Sequence, residues 1–136
     1  MTVMDVANVK RVGSIYLERD HEGIDVMIVD FAENMELSTK LYEWNSESFL
    51  LAFGELLLEH YKSRYEREAS EVKKLKEHVE DLKKRGYRTD VEEARLRQHE
   101  SEAVKYLRKH DALASALREF RKALEEAAGH ARGDIR

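Results

Sequence analysis

Lys83-Lys84-Arg85-Gly86-Tyr87-Arg88-Thr89-Asp90-Val91-Glu92 is the stretch that decides the fold. It reads as the end of one helix and the start of another. Basic side chains in a last turn complement the negative end of a helix, and a glycine just after them supplies the left-handed residue that closes it. Thr89 and Glu92 have the spacing of a capping box, which satisfies free amides at a new helix start. Upstream, Asn45 before Ser46-Glu47-Ser48 is an N-cap signal with an acid in the first turn. The chain has no proline to interrupt what lies between. Helices are therefore expected over 45–85 and 90–128, with 129–136 as a flexible tail, the second ending near Gly129 or Gly133. Each has roughly 40 residues, or about 60 Å at 1.5 Å per residue.

Both segments carry apolar residues at alternating three- and four-residue steps, the 3.5-residue period of a coiled-coil seam. The first runs Leu51, Gly54, Leu58, Tyr61, Tyr65, Glu68, Val72, Leu75, Val79 and Leu82. The second runs Leu96, His99, Ala103, Tyr106, His110, Leu113, Leu117, Phe120, Leu124 and Ala127. A turn centred on Tyr87-Arg88 would place opposite one another residues whose numbers total about 175, and seam partners such as Val79–Leu96 and Val72–Ala103 satisfy this. On that register Gly54 faces Phe120, and Glu68 lies level with Tyr106 and His110. Near the base, Phe49, Leu50, Leu51, Phe53, Leu56, Leu57 and Leu58 surround the axis, a pattern that predicts burial on all sides.

Ahead of the helices, Arg11–Arg19 and Ile24–Phe31 are β-branched and aromatic runs joined by Asp20-His21-Glu22-Gly23, a hairpin signal. A third run spans Met35–Trp44. Short links make these an antiparallel meander over 11–44. Its central strand is apolar on both sides, with Ile24, Val26 and Ile28 facing one way and Met27, Val29 and Phe31 the other, so both faces want cover. The helices can cover one; residues 1–10 or a second molecule would cover the other. The expected fold is α+β, a three-stranded antiparallel β-meander followed by a long antiparallel two-helix coiled-coil hairpin, in a single domain over 1–136.

Composition narrows the function classes. Of 136 residues, 42% are apolar and 38% charged, an excess of charge that long solvated helix faces absorb. There is no cysteine, which excludes disulfide and thiolate chemistry. No apolar run approaches the ~18 residues of a membrane span, and Met1–Lys10 lacks the pattern of a secretory signal. A soluble cytoplasmic protein with no membrane partner is expected. The net charge of −4 hides a division: residues 1–60 carry 12 acids and 4 bases, and residues 61–136 carry 16 acids and 20 bases.

Three candidate sites follow from that division. The first is an acidic meander face, with Asp20, Glu22 and Asp25 beside Phe31, Tyr42 and Trp44 as exposed apolar contacts for a protein partner. The second is the basic hairpin tip, Lys83, Lys84, Arg85 and Arg88, which could grip phosphates, although interleaved acids make it equally a salt-bridged solvated face. The third is a polar seam of Glu68, His99, Tyr106 and His110. It is read as a device fixing register ahead of a titrating cluster. No Glu-x-x-His pair, Gly-rich phosphate loop or Ser/His/Asp ordering is present, so no catalytic, metal or cofactor residue is assigned.

The expected function is a non-enzymatic protein-binding module. In size and charge it is analogous to phage- or mobile-element-encoded inhibitors or modulators that dock on a larger host enzyme or nucleoprotein complex. A self-assembling, homo-oligomeric coiled-coil protein, a homodimer included, is the second reading. Nucleic-acid binding through the tip is the third.

Overall fold

The computed structural model describes residues 13–31 and 35–133. It shows an α+β chain: strands β1 (Gly13–Arg19), β2 (Asp25–Phe31) and β3 (Met35–Leu41), then helices α1 (Ser46–Lys84) and α2 (Asp90–Gly133). The chain divides into two compact units, Met1–Leu56 and Leu57–Arg136.

In the first unit the strands form one antiparallel sheet in the order β1-β2-β3. The β1–β2 link folds as its sequence demands. Asp20 Oδ1 accepts the amides of Glu22 and Ile24, both at 2.9 Å, and Gly23 takes the positive φ of 83° that the turn needs. Pairing sets Leu17 opposite Met27 and Met27 opposite Thr39, and sets Ile15, Val29 and Leu37 in one row. Because directly paired residues share a face, Met27, Val29 and Phe31 point together with Leu41. All four are buried, Met27 completely. Ile28 lies on the opposite face between Tyr16 and Ser38. There Val26 and Ile28 are half-buried and Tyr16 is exposed. The two-sided apolar pattern of β2 thus corresponds to one closed face and one partly open face. Residues 1–10, named above as a possible cover, lie outside the described residues.

Three expectations for this unit need correction. Phe31, taken above as an exposed contact, is 7% accessible; its parity with Met27 and Val29 puts it on the closed face. Strand β3 stops at Leu41, short of Trp44, because Trp44 turns to bond Asp25 and Asn45 is committed to capping α1. The apolar run at the base of α1 is not buried all round: Leu56 is buried, Phe49, Leu51 and Phe53 are partly covered, and Leu50 is exposed.

Helix α1 starts as its sequence predicts, with Asn45 Oδ1 accepting the Ser48 amide at 2.8 Å. It ends in a Schellman turn. The Tyr87 amide donates to the Leu82 carbonyl at 3.0 Å and the Gly86 amide to that of Lys83 at 3.1 Å, with Gly86 at φ 81°. The first backbone bond of α2 runs from the Glu93 amide to the Thr89 carbonyl, 2.9 Å, and Thr89 is buried. The helix then continues through Gly129 to Gly133, beyond the tail boundary expected at 129. A helical glycine costs only about 1 kcal/mol relative to alanine, too little to end a helix by itself.

The two helices of the second unit pair closely, with Val79, Ala103 and Leu117 buried along the seam. The axial offset differs from the expected one. Glu68 meets His99, and Tyr61 meets Tyr106, so numbers across the seam total about 167, roughly one heptad short of 175. Sliding one helix by seven residues leaves every seam position in phase, so periodicity cannot fix the offset. The connection permits it. Residues 85–89 lie outside both helices, and five residues can span up to about 17 Å, more than the rise of about 10 Å of seven helical residues. Among the described residues no helix is long and apolar enough to cross a membrane.

Candidate functional site

Side chains with chemical capacity collect in three places. On the meander, Asp25 is held by Arg19, whose Nε donates at 2.9 Å, and by Trp44, whose Nε1 donates at 2.7 Å. These two bonds, Arg19 first, hold the Asp25 carboxyl below the usual carboxylate range. Asp20 is occupied by its own turn and by Lys40 at 3.8 Å. Two of the three carboxylates singled out in the sequence are therefore structural, and Glu22 is the one left at the surface, 3.7 Å from His21. The aromatic part of the expectation fares better: Tyr42 is 73% exposed and Trp44 58%. Ile15, Tyr16 and Leu17 on the edge strand β1 are exposed as well.

At the hairpin tip the basic residues are mostly spoken for. Lys83 binds Glu93 across the turn at 2.8 Å, Arg85 binds Asp81 at 3.4 Å and Arg88 binds Asp90 at 2.8 Å. Lys83 is the first cause of a lowered Glu93 carboxyl. The solvated, salt-bridged reading of the tip describes this geometry.

The polar seam is a connected group. Glu68 is buried and its Oε2 lies 2.5 Å from Nδ1 of His99, while Arg64, one turn back, is 3.8 Å from its other oxygen. The Arg64 guanidinium sits 5.0 Å above the Tyr106 ring, and Tyr106 packs on Tyr61 with centroids 6.4 Å apart. Lys109 lies 5.9 Å from the Tyr61 ring and 5.7 Å from that of Tyr106. Burial, helped by Lys109, pushes the neighbouring His60 imidazole below its ordinary pKa. His110 is not a member: it bonds its neighbour Asp111 at 3.2 Å, and the heptad offset sets His99, seven residues before Tyr106, against Glu68.

Every buried polar side-chain atom among the described residues has a partner. Among the described residues no three His, Asp or Glu side chains converge as a metal site would require. Compared with family models, curated proteins and solved structures, the chain matches none. What the geometry offers is surface: an aromatic, acid-fringed meander, and a second unit with solvent-facing cations along α2 as well as at the tip.

Proposed function

We propose that the chain is a non-enzymatic protein-binding module that docks through its meander unit on a larger enzyme or nucleoprotein complex. One observation carries this reading. Five large apolar side chains of a 56-residue unit, Ile15, Tyr16, Leu17, Tyr42 and Trp44, are between 46% and 73% exposed. Such residues are costly to leave in water, and Tyr and Trp are the side chains that most often dominate binding energy at interfaces. Exposed carboxylates at Glu18, Glu22, Glu43 and Glu47 fringe them, which suits a partner with a basic groove and steers its approach. The outer edge of β1, which no other described strand pairs with, adds backbone groups that an incoming strand can use.

The test is affinity purification from the native cell with the wild-type chain and with Tyr42→Ala/Trp44→Ala as bait. A specific partner should be retained by the first and lost by the second, since each anchor contributes about 2 kcal/mol or more, roughly 30-fold in affinity. Equal recovery of the same proteins on both baits would remove the meander as the docking surface. Light scattering of the purified chain separates this reading from self-assembly, which requires a particle larger than the monomer.

A further inference from the structure

The cations of α2 that point away from the seam form a stripe, at one end of which Arg97 acts on the Glu93 carboxylate. Counting from Arg97 by three- and four-residue steps gives Arg97, Ser101, Lys105, Arg108, Ala112, Ser115, Glu119 and Lys122. That spacing tracks one helix face, the one opposite Ala103, Tyr106 and His110. Lys109 and Arg118 flank it. All six bases are exposed, and among the described residues none has a carboxylate within ion-pairing distance. The ammonium groups of Lys105 and Lys109 rest instead near the Tyr106 ring, at 6.0 and 5.7 Å, a contact that leaves their charge available. Arg97, Ser101, Val104, Lys105, Arg108 and Lys109 line a shallow open depression there, with Glu100 as its one acid. The tip offers the contrast, because three of its four bases are already paired.

We infer that this outer face of α2 binds the phosphate backbone of a nucleic acid. The argument is one of number and length. From Arg97 to Lys122 is 25 residues, about 38 Å of helix, in which the six cations of the stripe and its flanks stand against Glu100, Glu102, Asp111 and Glu119. A nucleic acid presents a phosphate at short, regular intervals over that whole length. An acidic peptide or a second copy of this chain would have to match the same row with carboxylates. Ser101, Ala112 and Ser115 are small enough to let a backbone approach. The aromatic rings beside the stripe are packed against each other or capped by cations, so recognition is by charge and insensitive to sequence. This inference does not depend on the meander reading, and either can fail alone.

The experiment is fluorescence anisotropy of labelled 20-nucleotide single strands and 20-base-pair duplexes against the full chain. Binding is expected at ~50 mM salt, weakening about 100-fold by ~200 mM, the slope for roughly four neutralised phosphates. Lys105→Glu/Arg108→Glu should abolish it and Lys105→Gln/Arg108→Gln should weaken it, with circular dichroism confirming that the helices persist. Lys84→Glu at the tip should change it little. Absence of a shift for both probes at ~50 mM salt would overturn the inference. So would binding that survives the Lys105/Arg108 pair but responds to Lys84, or a stripe that retains poly-glutamate and no nucleic acid.

Discussion

Asp25 shows how a single residue can carry a sequence signal and a different structural role. An acid on a central strand suggests a site, yet its two oxygens are taken by Arg19 and Trp44. The hold on its proton gives a testable consequence. A carboxyl whose pKa is lowered by folding binds fewer protons folded than unfolded, so its contribution to stability is complete above the ordinary carboxylate pKa. It is lost as pH falls through the lowered value. Trp44 is the only tryptophan and reports the event directly. Its emission should change on acidification below the usual carboxylate range, and Asp25→Asn should remove that transition while leaving far-UV circular dichroism unchanged. A pH profile identical in the two proteins would mean that Trp44 does not sense Asp25. The residues that the sequence placed correctly, Asn45, Gly23 and Gly86, are those whose roles depend on the nearest few residues: a cap and two left-handed turns. Phe31 and Trp44 are both aromatic, but Phe31 lies on the closed face of β2 and Trp44 beyond the end of β3, so exposure needed the pairing register and the strand's end.

At the scale of elements the same division recurs. Strands and helices were legible because apolar periods of 2 and 3.5 residues and their caps are local. The offset between the helices was not, since a heptad slide conserves the seam. Nor was the pairing of the tip cations, because Lys83 reaches Glu93 only once the offset is set. The α2 stripe was readable in principle: the spacing of Arg97, Lys105, Arg108 and Lys122 is visible in the sequence. It was hidden by the even balance of charge along the helix. The offset itself makes a prediction through Glu68 and His99. A buried polar pair in a seam specifies register at a cost in stability, and replacing it with apolar residues is often neutral or stabilising. Glu68→Leu/His99→Leu should therefore raise or maintain the melting temperature while letting the helices sample the neighbouring heptad. Spin labels at Glu66 and Glu100 would show one distance in the parent and a second population in the variant. Glu68→Ala alone takes the carboxylate partner from His99, and should cost about 1–3 kcal/mol, discounted because His99 is part-exposed. A single unchanged distance in the double variant would assign the offset to the turn alone.

Across the whole molecule, charge and stability divide where the units do. Residues 1–56 hold 11 acids and 4 bases, and residues 57–136 hold 17 acids and 20 bases. The acidic excess therefore lies in the first unit, while the second displays the exposed cations of α2. The units also differ in what holds them. The first rests on one closed sheet face of four buried side chains, Met27, Val29, Phe31 and Leu41, and a unit of about 60 residues buries the smallest share of its surface on folding. The second has a long seam reinforced by ion pairs and by the Tyr61–Tyr106 packing. Independent cores of unequal size need not melt together. In urea, Trp44 fluorescence, which reads the meander, should change at a lower concentration than far-UV circular dichroism, which is dominated by the helices. The gap should widen for Met27→Ala, a core truncation costing about 2–5 kcal/mol, and the circular-dichroism midpoint should barely move. Coincident transitions in both proteins would show that α1, continuous from Ser46 to Lys84, binds the two units into one cooperative structure.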